Sequence, residues 1–149
     1  MSARLQNGGI LIDRKKRIEF SFDGKRFSGF LGDTLSAALL ANNQTLVARS
    51  FKYHRPRGIV SSGPEEPNAL VSLGKKNTFE PNLKATTTEL FNGMVSKSQN
   101  RWPSLNVDFG EISSLFSSVL PAGFYYKTFI HPRIAWKHLF EPFIRLAAG

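Results

Sequence analysis

The alternation of Ile18, Phe20 and Phe22 with Glu19 and Ser21, followed at once by Asp23-Gly24 and then by Phe27, Gly29 and Leu31, constrains the fold more than any other feature. A period of two puts the three large apolar groups on one face of a strand. Asp-Gly accepts the positive φ values that a two-residue hairpin turn demands. The stretch therefore predicts a β-hairpin with one buried face, and the rest of the chain has to cover that face. Gly32 interrupts the second strand, and Asp33 is placed to cap a helix through its carboxylate. Residues 34–41, TLSAALLA, set Leu35, Ala38 and Leu39 on one side before Asn42 and Asn43 end the turn. Residues 46–50, 69–73 and 84–91 (KATTTELF) read as further strands, the second ended by Gly74.

The order β, β, α, β, long loop, β, β on one mixed sheet outlines an α+β domain of β-grasp or ferredoxin-like type, expected over residues 16–93. Residues 1–15, with Gly8-Gly9 and little periodicity, read as an arm ordered only beneath a partner. Past Gly93 the composition turns to Ser96, Gln99, Asn100, Trp102, Pro103 and Ser104, a connector. A short helical stripe follows at 112–120, then a dense aromatic run at 124–129. Residues 134–146 hold Trp136, Leu139, Phe140, Phe143 and Ile144 at helical spacing, with Pro142 imposing a break or kink. Residues 94–149 thus form a connector and an aromatic-rich, partly helical tail. With no core of its own, this tail is expected to pack on the first domain or on something outside the chain.

With 149 residues and 41% hydrophobic content, the chain has enough apolar material for one packed domain. It has no cysteine, which excludes disulfides, thiolate zinc sites and cysteine-held iron–sulfur clusters. No apolar run has the length of a signal peptide or a membrane span, so the expectation is a soluble cytoplasmic protein without membrane contact. The net charge of +9 raises nucleic acid or another anion as a partner for a stand-alone basic module, with strongly salt-dependent binding. The bases are dispersed, however: 14–17 form one cluster, Lys52, Arg55 and Arg57 a second, Lys75 and Lys76 a third. That dispersal makes nucleic acid the weaker reading.

Residues 49–68, RSFKYHRPRGIVSSGPEEPN, concentrate bases, rings, prolines and glycines without helix or strand periodicity, and read as a long functional loop. Tyr53, His54, Arg55 and Arg57 are its candidate site residues. In a structural role the guanidiniums would cap carbonyls or pair with Glu65 and Glu66. In a binding role they would meet a nucleotide phosphate held by a neighbouring domain or subunit, which Arg contacts in bidentate fashion. Trp102, Phe124, Tyr125, Tyr126 and Trp136 are candidates for a partner interface, where Tyr and Trp are enriched, or for core or tail packing. His131 and His138, with Pro132 between them, make a poor metal pair, and Ser50, His54 and Asp33 lack the nucleophile elbow of a hydrolase. No catalytic or metal residue is assigned. A Gly-rich phosphate loop is also absent, so a dinucleotide would not bind here through such a fingerprint.

The blocks RSFKYHRPRG at 49–58, EEPNALV at 65–71, SQNRWPSL at 98–105, LPAGFYYKTF at 120–129 and EPFIRLAAG at 141–149 resemble, in order, the amino-terminal region of the alpha subunit of heterotetrameric sarcosine oxidase. The resemblance implies a flavin-dependent complex that oxidises sarcosine to glycine, passes electrons to oxygen as peroxide and transfers the one-carbon unit to tetrahydrofolate. It further implies a ferredoxin-like first domain, a following nucleotide-binding region that holds NAD, a folate-binding carboxy-terminal domain, and flavins (FAD and FMN) carried mainly by the beta subunit. Partners would be the remainder of the alpha subunit and the other subunits. Related amine-oxidising complexes place cluster-binding cysteines after the Arg-Gly pair, where this chain has Ser61, Ser62 and Gly63 and runs on through Pro64 to Ala69. The expectation is a cluster-free domain, not itself catalytic, that braces cofactor domains.

Overall fold

The computed structural model describes residues 3–116 and 133–148. The predicted hairpin is formed by β1 (Asp13–Phe22) and β2 (Lys25–Leu31), paired antiparallel with Phe20 opposite Phe27 and Phe22 opposite Lys25. Asp23 and Gly24 take φ of 50° and 79°, the two positive values that the turn requires. Ile18, Phe20 and Phe22 are buried, and the Phe20 and Phe27 rings stack at 5.8 Å. Helix α1 (Leu35–Ala41) follows, burying Leu35, Ala38 and Leu39. Its N-cap is Thr34, whose hydroxyl accepts the Ala37 N–H at 3.3 Å, and not Asp33 as the sequence suggests.

The Asp33 carboxylate serves a different purpose. It accepts the Phe30 N–H at 2.8 Å and takes both terminal nitrogens of Arg4, at 2.8 and 2.6 Å. The side chain of Asp33 is fully buried, so the guanidinium neutralises a charge that could not stand there alone. The expected loose arm is therefore pinned by its own domain. Arg14 adds bonds to the carbonyls of Leu5 and Gly8, although Leu5, Ile10 and Leu11 remain exposed.

A two-stranded ribbon of β3 (Leu46–Arg49) and β4 (Pro56–Gly58) stands apart from the main sheet. That sheet is completed by β5 (Leu70–Leu73), β6 (Glu80–Lys84) and β7 (Val95–Ser98), in the order β2-β1-β7-β5-β6. β7 runs parallel to β1 and antiparallel to β5, so the sheet is mixed. It also extends past residue 93, the limit that the sequence pattern suggests. Asp23 fixes this insertion by accepting the Ser98 N–H at 2.9 Å and the Ser98 hydroxyl at 2.6 Å. The strand expected at 84–91 is instead a turn, because the Thr87 and Thr88 hydroxyls bond back to the Lys84 carbonyl and draw the backbone out of a ladder.

Ile18, Phe20, Phe22, Leu35, Leu39, Val47, Val71, Leu90, Met94 and Leu105 make one core beneath the helix. Leu105 lies in the connector, which therefore belongs to the packed body. A 3₁₀ segment, Phe109–Phe116, takes the place of the predicted stripe at 112–120 as far as the described residues go. In the tail, Arg133–Ala135 (α2), a π-helical turn Trp136–Phe140 and Glu141–Ala148 (α3) run in succession. Pro142 lies inside this continuous helical run, directly after the π-helical turn that the Glu141 N–H closes on the Trp136 carbonyl, so its missing N–H falls where the ladder is already widened. Ile134, Leu139 and Phe143 are exposed, so these three side chains are not covered by the other described residues.

Candidate functional site

The loop after β3 is built around two ions whose burial the sequence did not signal. The first is Arg49, at the end of β3, only 5% exposed. Its Nε and Nη2 donate to the Leu105 carbonyl at 3.0 and 2.6 Å, and its Nη1 to the His54 carbonyl at 2.9 Å and Glu111 Oε2 at 3.2 Å. One guanidinium thus ties the loop to the connector, and the five donors of arginine in a rigid fork suit it to that task. Asp108, also buried, lies 3.9 Å from Arg49 Nε and accepts the N–H groups of Trp102 and Gly110 at 3.2 and 2.8 Å.

The four loop candidates divide on this frame. His54 takes a left-handed backbone, φ 50°, and donates its N–H to the Ser50 carbonyl at 2.9 Å. Its Nδ1 stands 3.0 Å from Asp108 Oδ1 but is not aligned for a hydrogen bond. The imidazole lies flat on Gly110, where a Cβ would run into the ring. Tyr53 has two cations over its ring, Lys52 Nζ 4.7 Å and the Arg55 guanidinium 4.9 Å from the centroid. Arg57 donates to Asn68 Oδ1 at 2.7 Å and does not pair with Glu66. Arg57 and Asn68 line a shallow concavity with Arg49, Gln99 and Asn100. His54 therefore serves the interior, whereas Tyr53, Arg55 and Arg57 stay at the surface.

Glu66 is the second buried ion and has no solvent exposure. Oε2 accepts the N–H groups of Val60 and Ser61 at 2.9 and 2.6 Å and the Ser61 hydroxyl at 3.3 Å. Oε1 accepts the N–H groups of Asn68 and Ala69 at 2.8 and 3.2 Å. Burial pushes the carboxyl pKa up, and the four backbone donors more than offset it, holding the group below its ordinary value. Glu66 reads in the sequence as one of two surface acids in a polar loop. Only its position between Pro67 and the chain reversal at Gly63 hints at anything else.

Of the aromatic candidates, Trp102 is 64% exposed and meets Phe109 edge-on at 5.5 Å. Val107, Phe109, Ile112 and Leu115 are exposed along the same connector. Trp136 is half-buried. Phe124, Tyr125 and Tyr126 lie outside the described residues. Among the described residues no helix is long and apolar enough to cross a membrane.

A five-stranded mixed sheet with one helix packed on it, and a long loop folded inward on an anion, defines a ferredoxin-like domain. The chain belongs to the 2Fe-2S iron-sulfur cluster binding domain family, which it matches over residues 15–101. It is similar to the sarcosine oxidase subunit alpha of Rhizobium meliloti (strain 1021), with 55% identity over 148 residues, covering 99% of this chain and 15% of that protein. It is also similar to the sarcosine oxidase subunit alpha of Corynebacterium sp. (strain U-96), with 39% identity over 92 residues, 60% of this chain and 10% of that one. Among solved structures it resembles L-proline dehydrogenase from P. horikoshii, at a TM-score of 0.48 and 26% identity, covering 58% of this chain and 16% of the other.

The family's description implies a cluster held by cysteine thiolates. The residues present do not fit one. The chain has no cysteine, and the loop offers hydroxyls and a carboxylate already saturated by N–H donors, which are poor partners for a soft cluster. Among the described residues no three His, Asp or Glu side chains gather as a metal site.

Proposed function

We propose that this chain is the amino-terminal domain of a sarcosine oxidase alpha subunit and acts there as a non-catalytic brace between cofactor-bearing parts. The 55% identity that runs through 148 residues carries the reading, because it includes the connector and tail as well as the sheet. The exposed row Trp102, Phe109, Ile112 and Leu115 adds support: it is rigidly seated by Arg49 and Asp108 yet covered by nothing among the described residues. Tyr53, Arg55 and Arg57 present cations and a ring on the loop whose His54 packs on Gly110 of the connector, suited to a nucleotide phosphate held by the neighbouring region. Beyond the tail a nucleotide-binding region with NAD would follow, with FAD, FMN and tetrahydrofolate bound elsewhere in the complex. In that complex the N-methyl group of sarcosine loses two electrons, oxygen takes them up as peroxide, tetrahydrofolate receives the one-carbon unit and glycine remains.

The test is co-purification of the complete reading frame with its genomic neighbours, with the flavin spectrum and sarcosine-dependent peroxide as readouts. A yellow multi-subunit complex with sarcosine turnover is the expected result. In that complex, Arg55→Ala/Arg57→Ala is expected to lower cofactor content or assembly with the domain still folded. A colourless product without turnover would overturn the reading, and unchanged cofactor content in the double variant would remove the loop's role.

A further inference from the structure

A plant-type two-iron loop spaces its thiolates C-x₄-C-x₂-C, with a fourth cysteine far along the chain. Ser61, Glu66 and Ala69 stand at that spacing, and each takes part in the same hydrogen-bonded knot. A distant fourth residue is also present. The Ala85 N–H bonds the Ala69 carbonyl at 2.9 Å, which brings the next residue, Thr86, against the loop, and the Thr86 hydroxyl donates to the Gly63 carbonyl at 2.7 Å. Thr86 is buried, as are Glu66 and Ala69.

A cluster with four thiolates is an anionic body, and the loop around it turns backbone N–H groups inward to the sulfurs. Here the inward N–H groups of Val60, Ser61, Asn68 and Ala69 all meet one carboxylate that grows out of the loop itself. We propose that the Glu66 side chain stands in the cluster's place, so that residues 59–69 form a cluster-binding loop rebuilt around an internal anion. The loop then holds its shape without iron, sulfide or any redox state, and this part of the fold carries no electrons. The proposal rests on the local geometry and the family match and is independent of the docking role.

The test has two arms, both in the complete protein. In the first, amide hydrogen exchange is compared between the wild type and Glu66→Gln at neutral pH. The amide variant keeps the shape but turns an NH₂ group toward two N–H donors, so the Val60, Ser61, Asn68 and Ala69 amides are expected to exchange about tenfold faster or more, with Leu39 and Val71 unchanged. Unchanged protection at the four amides would overturn the proposal. In the second arm, Ser61→Cys/Glu66→Cys/Ala69→Cys/Thr86→Cys is incubated anaerobically with ferrous iron and sulfide. A visible absorption band absent from the identically treated wild type is expected, with two irons and two sulfides per chain. A folded variant that takes up no more iron than the wild type would show that the four positions do not share a site. Should that variant not fold, the exchange arm decides alone.

Discussion

Glu66 shows how one residue escapes a sequence reading and then governs a loop. Its neighbour Glu65 has the same charge and the same polar surroundings in the sequence, but Glu66 alone is enclosed by donors. Because its folded pKa lies below the ordinary carboxylate value, the ionised group contributes stability that is fully present above the unfolded pKa and lost as pH falls through the folded one. Thermal melting across the acidic range is therefore expected to show a wild-type advantage over Glu66→Gln that is constant near neutrality and shrinks on acidification. A difference that persists unchanged down to the most acidic pH at which the protein folds would contradict an ionised Glu66. At neutral pH, Glu66→Ala leaves four inward N–H groups without an acceptor, for a loss of roughly 3 kcal/mol in a denaturant titration.

At the scale of elements, the hairpin and α1 were legible because their periodicity reports which face is buried, and β7 was not. Val95–Ser98 reads VSKS, with one large apolar side chain, and becomes a strand only because β1 and β5 offer edges on both sides of it. The Thr-rich stretch 84–91 failed in the opposite direction, since its strand propensity yields to hydroxyl bonds back to Lys84. The contact between the loop and the connector is equally non-local. His54 lies on Gly110, and a Cβ at 110 needs the space that the imidazole fills. Gly110→Ala is expected to cost about 1–3 kcal/mol by urea denaturation, and much less in a His54→Ala background, where the ring is gone. Equal costs in the two backgrounds would mean that the ring is not what the glycine accommodates.

For the whole molecule, the question is what covers the apolar row on the connector. Ile112 and Leu115 are 58% and 78% exposed, so replacing both with serine removes nothing from the core. Ile112→Ser/Leu115→Ser is expected to shift the domain's stability by no more than about 0.5 kcal/mol per substitution while lowering assembly of the complete complex on size-exclusion chromatography. Assembly equal to the wild type would locate the interface elsewhere. By itself the sequence determined the hairpin, its Asp-Gly turn, the single helix, the α+β class and the lack of thiolate ligands, all of which are properties of neighbours in the chain or of composition. Only the tertiary structure decided that Arg4 closes on Asp33, that Arg49 joins the loop to Leu105, that β7 enters the sheet and that Glu66 turns inward. The bonds of Arg4 to Asp33, of Arg49 to Leu105 and of Ser98 in β7 to Asp23 span 29, 56 and 75 residues. Glu66 is bonded locally but lies in a loop without periodicity. Periodicity shows where a side chain faces without showing what it will meet, and the burial of a charge is settled only when its counter-charge or donors close around it in the folded chain.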